Sequence, residues 1–188
     1  VNMVNLVIFP SGYYDVKKVD EDLKKEFEAV LSTELFDVII FGYDKWFNES
    51  KLILSDKPDT LRKAIYRGWM MKPEQYKAFY EKLINNNIEL ITTPEEYERM
   101  HIFPNVYHCF GNDTAKMIVF PLYEQLDIAV LKKNFTSFMI KDYVKSVKGT
   151  DFPKFFDNTV TQKEFDKWMK VFYQNRGDLL TSGICVKE

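Results

Sequence analysis

Three lysines follow an apolar run in FMIKDYVKSVKG, Phe138 to Gly149. Read as a strand, this stretch puts Phe138, Ile140, Asp142 and Val144 on one side and Met139, Lys141, Tyr143 and Lys145 on the other. The Phe/Ile/Val side should pack on helices. The opposite side then aligns Lys141 and Lys145 about 6.5–7 Å apart, with Lys148 following in a loop that contains Gly149. Ammonium groups clustered beside such a loop can hold a polyphosphate by point charge and main-chain N–H groups. Lysines also guard exposed sheet edges against aggregation. Spacing alone therefore leaves two readings open, a phosphate ligand and a solvated strand end.

A second cation stands out in YRGWMM, where Arg67 sits between aromatic and apolar residues. Unpaired burial of an arginine is costly, so it needs a partner. An anionic substrate and a structural carboxylate serve equally. His101, His108 and Cys109 fit no standard zinc spacing, and they read as loop histidines beside a small buried thiol. No GxSxG, Walker A or GxGxxG motif occurs, which leaves out the common hydrolase, P-loop and dinucleotide fingerprints.

The elements that must carry these residues are legible from periodicity. MVNLVIF (Met3–Phe9) and FDVIIFG (Phe36–Gly42) read as buried strands, with an amphipathic helix between them striped by Val19, Leu23, Phe27, Val30 and Leu31. Asp20, Glu21 and Asp22 suit its first turn. AIYRGWMM (Ala64–Met71) reads as a strand. Pro73 opens a helix striped by Tyr76, Phe79, Tyr80, Leu83 and Ile84, and IELIT (Ile88–Thr92) is the next strand. TPEE (Thr93–Glu96) is a capping box. This order predicts an open parallel α/β domain. From His101 to Asp113 the chain reads as irregular, so the domain boundary is expected there, with domains 1–110 and 111–188. Beyond it come a helix over Pro121–Lys133 with Leu122, Leu126, Ala129 and Val130 on one face, and the lysine-bearing strand. A helix opened by TQKE (Thr161–Glu164) and striped by Phe165, Trp168, Met169 and Phe172 follows, then a final strand in GICVKE (Gly183–Glu188).

Composition limits the function classes. With 46% hydrophobic and 29% charged residues, the 188-residue chain is built to fold. A formal net charge of -2 disfavours a nucleic-acid-coating surface. No apolar run approaches the length of a membrane span. Two distant cysteines, with neither a CxxC pair nor a disulfide framework, point to a cytoplasmic protein.

Together, YRGWMMKPEQYKAFYEKL, IKDYVKSVK and GDLLTSGICVKE resemble the ATP-grasp superfamily. More narrowly, they resemble the clade noted for one arginine and two lysines, found largely in uncharacterised bacterial and phage proteins. The resemblance runs from about Ala64 to Glu188. It implies a Rossmann-like pre-ATP-grasp domain followed by an α+β ATP-grasp subdomain that ends at the adenine hinge. By that resemblance Lys141 contacts the α and β phosphates of ATP, Lys145 is the second basic residue, and the loop from Ser146 to Asp151, with Lys148, closes over the phosphates. Lys187 and Glu188 lie beside the adenine, Arg67 faces the substrate, and Lys116 stands where many members of the family carry another phosphate-contacting lysine.

The implied activity is ATP-dependent joining of a carboxylate to an amine through an acyl phosphate, on a small-molecule or peptide substrate. The Mg2+ carboxylates of that chemistry lie well after the hinge in the family. The second ATP-grasp subdomain is therefore expected outside these residues, and the chain is expected to be a fragment. The alternative is a nucleotide-binding or protein-interaction module without catalysis.

Overall fold

The computed structural model describes residues 5–188, so Met3 and Val4 of the expected first strand lie outside the described residues. The chain divides into two compact units between Glu98 and Arg99. The junction expected after residue 110 thus falls earlier, and the stretch up to Phe110 belongs to the second unit.

The first unit is built on four parallel strands in the order β2-β1-β3-β4. They are β1 (Leu6–Pro10), β2 (Asp37–Phe41), β3 (Arg62–Tyr66) and β4 (Ile88–Leu90). Every residue of β1 is buried, as expected of a central parallel strand covered on both faces. Three helices connect the strands, α1 (Lys24–Ser32), α2 (Tyr43–Glu49) and α3 (Pro73–Ile84), and α4 (Pro94–His101) follows β4. Of the expected α3 stripe, Tyr76, Phe79 and Leu83 are buried, Tyr80 is partly buried and Ile84 is exposed. Thr93 and Glu96 form their reciprocal box at the start of α4, at 2.9 and 3.2 Å. α2 carries no comparable sequence signal.

The expected strand over Ala64–Met71 stops at Tyr66, for a local reason. The Tyr66 hydroxyl donates to the Trp69 carbonyl at 2.7 Å, closing a turn. A Cβ on Gly68 would lie 2.6 Å from that hydroxyl, so only glycine fits the turn.

The second unit is antiparallel, in the order β5-β8-β6-β7. Its strands are β5 (Met117–Pro121), β6 (Ser137–Asp142), β7 (Phe156–Asp157) and β8 (Gly183–Lys187), and its helices are α5 (Phe103–Phe110), α6 (Ile128–Asn134) and α7 (Gln162–Arg176). Phe138, Ile140, Ile184 and Val186 form the inner sheet face, packed against Leu131, Phe165 and Phe172 from the helices. Thr161 and Glu164 cap α7 as TQKE predicts.

Three expectations fail here. The stretch from His101 to Asp113 is largely helical. Pro104 falls in the first turn of α5, where proline is tolerated, and Phe103, Val106, Tyr107 and Phe110 keep helical spacing. The helix expected over Pro121–Lys133 begins only at Ile128, because Asp127 caps it by accepting from the Ala129 N–H at 2.8 Å. Its inward residues are Ile128 and Leu131, while Val130 is exposed. Finally, MIVFP forms β5, a strand not expected from the pattern.

Candidate functional site

β6 alternates as its sequence demands. Phe138, Ile140 and Asp142 are buried on the packing side, and Met139 and Lys141 face the other way. The strand does not run on to Lys145, however. The Asp142 N–H donates to the Lys145 carbonyl at 2.9 Å, and Lys141 bridges antiparallel to Ser146. The Asp142 carboxylate drives the reversal by accepting from the main-chain N–H groups of Val144 and Lys145 at 2.8 and 2.7 Å. Lys145 is therefore not the next outward residue of a strand, and the collinear spacing expected of Lys141 and Lys145 is replaced by a turn.

That turn still gathers the basic residues. A cavity of about 570 Å³ is lined by Lys141, Lys145 and Lys148 together with Arg176, Thr150 and Met139. The loop that continues past Ser146 separates it from a second, more apolar cavity of about 460 Å³ whose wall includes Gly149, Phe152 and Phe155. Gly149 has a φ of 72°, a conformation glycine adopts without penalty.

Arg176, at the end of α7, fixes the site from behind. Its guanidinium donates to Asp142 Oδ2 through Nε at 2.8 Å and forms an ion pair at 2.6 Å. The Asp142 side chain is fully buried and that of Arg176 only 10% exposed. Thr181 N–H adds a further bond to Asp142 Oδ2 at 3.3 Å.

On the outward face of the sheet, β6 pairs Lys141 with Cys185 of β8, two residues before Lys187. The Lys141 ammonium lies 5.2 Å from the centre of the Phe103 ring, and the Lys187 ammonium lies 4.7 Å from the same ring. Lys187 also donates to Thr114 Oγ1 at 3.2 Å. Burial lowers the pKa of Lys141 below the ordinary lysine value, and the neighbouring charge of Lys187 acts in the same direction. Burial pushes the Cys185 thiol up to about 12.

The other sequence candidates are dispersed. The ammonium of Lys116 donates to the carbonyl and side-chain oxygen of Asn134 at 3.1 and 3.2 Å and lies 5.3 Å from the Phe135 ring. It thus closes the end of α6 and is not among the residues lining the lysine cavity. Exposed Glu188 donates its main-chain N–H to the Lys116 carbonyl at 3.0 Å. Arg67 belongs to the first unit, and its guanidinium grips both oxygens of Glu26, through Nε and, at 3.0 Å, through a terminal nitrogen. A structural carboxylate therefore occupies it. His101 ends α4 and is half-buried, and burial lowers its pKa. Cys109, expected as a small buried thiol, is exposed on α5, 3.4 Å from His108 Nε2. Among the described residues no group of three or more His, Cys, Asp or Glu side chains gathers as a metal site would, and no helix is long and apolar enough to cross a membrane.

Sequence reasoning missed Phe103, Arg176 and the role of Asp142. Helical spacing around Phe103 was available as a signal. The Asp142–Arg176 pair has none, because its partners come from different elements.

No protein-family model and no curated protein matches the sequence. Solved structures match the fold. A D-cycloserine synthetase, DcsG, superposes with a TM-score of 0.58 at 11% identity, over 97% of this chain and 59% of that one. The D-alanine–D-alanine ligase of Bacillus anthracis, complexed with ATP, gives 0.56 at 11% identity, over 100% and 57%. The VanG D-Ala:D-Ser ligase of Enterococcus faecalis gives 0.51 at 14%, over 99% and 63%. The chain thus spans about three-fifths of the length of these structures. At this level of identity the likeness establishes the fold, a Rossmann-like parallel α/β unit followed by an α+β unit of ATP-grasp type.

Proposed function

We propose that the chain binds ATP and forms part of an ATP-grasp carboxylate–amine ligase, of the clade noted for one arginine and two lysines. The observation that carries this reading is the convergence of Lys141, Lys145 and Lys148 on one cavity, in a fold shared with ligases of small carboxylate and amine substrates. A triphosphate is the biological anion that best matches several ammonium groups around one space. Lys141 is partly desolvated with its charge crowded by Lys187, and an anion there offsets both costs. Lys187 and Glu188, at the end of β8, are assigned to the nucleoside side. Lys116 and Arg67, each held by a local partner, are assigned structural roles.

In the reaction, a substrate carboxylate oxygen attacks the γ-phosphorus, the bond to the ADP oxygen breaks, and an acyl phosphate and ADP result. An amine then attacks the acyl carbon, losing a proton as phosphate leaves. The lysines stabilise the negative charge on the transferring phosphoryl group by preorganised electrostatics. Mg2+ serves this chemistry in the family, and among the described residues no carboxylate cluster gathers to hold it. Two unpaired thiols suit the reducing cytoplasm.

Calorimetric titration with ATP and with a non-hydrolysable analogue tests the reading. Saturable binding of both is expected, and it should be lost in a Lys141→Ala/Lys145→Ala double variant that keeps its fold. Binding that survives in the double variant would overturn it.

A further inference from the structure

Phe103 is the hub of the outward face. Its main-chain N–H donates to the Tyr143 carbonyl at 3.1 Å, which ties the start of α5 to the end of β6. Its ring packs on Tyr107 edge-on at 6.0 Å and on Phe110 in a stacked arrangement at 6.1 Å. The main chain and the helix thus fix the ring independently of the lysines. Two ammonium groups from different strands converge on it, Lys141 of β6 and Lys187 of β8. Among the described residues neither lysine takes part in an ion pair.

Two like charges held close on a partly buried sheet face repel each other and lose hydration. Carboxylates would neutralise them but would also compete with an anionic ligand. An aromatic ring attracts both cations through its quadrupole without cancelling either charge. It therefore holds the pair assembled and leaves Lys141 available to the phosphates and Lys187 to the nucleoside side of an anionic nucleotide.

We propose that Phe103 is a positioning residue that keeps Lys141 and Lys187 together and charged on one ring until an anion takes them over. This rests on the ATP-binding reading for the identity of the anion, but not for the arrangement of the unliganded protein. Phe103 is not itself assigned a contact to nucleotide.

The test separates the two. Lysines of the intact chain are reductively dimethylated with 13C-formaldehyde, which preserves their charge, and the Lys141 and Lys187 signals are assigned by Lys→Arg variants. Without ligand, both signals should sit upfield of the other lysines through the ring current of Phe103. Both should return to the common envelope in Phe103→Leu and stay shifted in Phe103→Tyr. Ordinary lysine shifts in the wild type would overturn the proposal whether or not ATP binds. On titration with ATP in unmodified protein, Phe103→Leu should weaken affinity by about three- to tenfold and Phe103→Tyr should restore it, with unfolding midpoints showing that both variants fold. Equal affinity in wild type and Phe103→Leu would also overturn it. Shifted signals with no ATP binding would instead refute the ATP reading and leave the pairing of the lysines standing.

Discussion

The Asp142 carboxylate does two jobs at once. One oxygen accepts the main-chain N–H groups that reverse the chain at Lys145, and the other takes the buried Arg176 guanidinium at 2.8 Å. The turn that brings Lys145 and Lys148 to the cavity is thereby anchored to the end of α7.

Removing the carboxylate leaves a guanidinium that is only 10% exposed without its counter-charge. Asp142→Ala should therefore destabilise the second unit by about 3–5 kcal/mol, the usual cost of breaking a buried pair from one side. Urea unfolding measures it. The double variant Asp142→Ala/Arg176→Leu should lose less than the two single variants added together, since it strands no charge. Additive losses would mean that the pair is not coupled.

Lys141 and Lys116 make a matched comparison, because one lines the cavity and the other closes α6. Lys141→Ala should weaken ATP binding about tenfold to a hundredfold, the worth of a charged hydrogen bond to phosphate. Lys116→Ala should leave ATP affinity unchanged. Equal losses in calorimetry would contradict the placement of the site.

The depressed pKa of Lys141 makes two predictions of opposite sign. Asp142, Cys185 and Lys187 are the titratable groups that act on it. A lysine whose folded pKa lies below its unfolded value of 10.5 binds its proton more weakly in the folded state. Its penalty on stability is then fully present at pH below the folded pKa and is relieved as pH rises towards the unfolded one. Bound phosphate favours the charged form, so ATP affinity should fall as pH rises through the depressed pKa, with proton uptake on binding in that window. Calorimetry in buffers of different ionisation enthalpy detects the uptake, and Lys141→Ala should abolish it.

The two thiols should behave differently. Cys109 is exposed, whereas Cys185 is fully buried with its pKa raised to about 12. Near neutral pH, Ellman's reagent should titrate one thiol rapidly in the native protein and the second only on unfolding. Cys109→Ser should remove the rapid phase. Two rapid thiols in the native wild type would show that β8 opens readily.

Much of the scaffold was legible. The capping boxes at Thr93 and Thr161 mark the starts of α4 and α7, and the alternation of Phe138, Ile140 and Lys141 gives the faces of β6. These signals are local: side-chain period follows backbone geometry, and a capping box closes within four residues. The helical spacing at Phe103 was equally local, but it was masked by the turn-forming residues around it.

The site itself was not local. β8 is the last strand in sequence, yet it lies between β5 and β6, and only that insertion brings Lys187 to the ring already shared with Lys141. The turn at Asp142 is anchored by Arg176, which reaches it from the C-terminal end of α7. The sequence by itself determined which residues of β6 and α7 face inward, because burial period in a regular element is written in neighbouring residues. Tertiary structure decided which cations meet, because strand pairing and buried ion pairs are settled by hydrogen bonds and desolvation between segments distant along the chain.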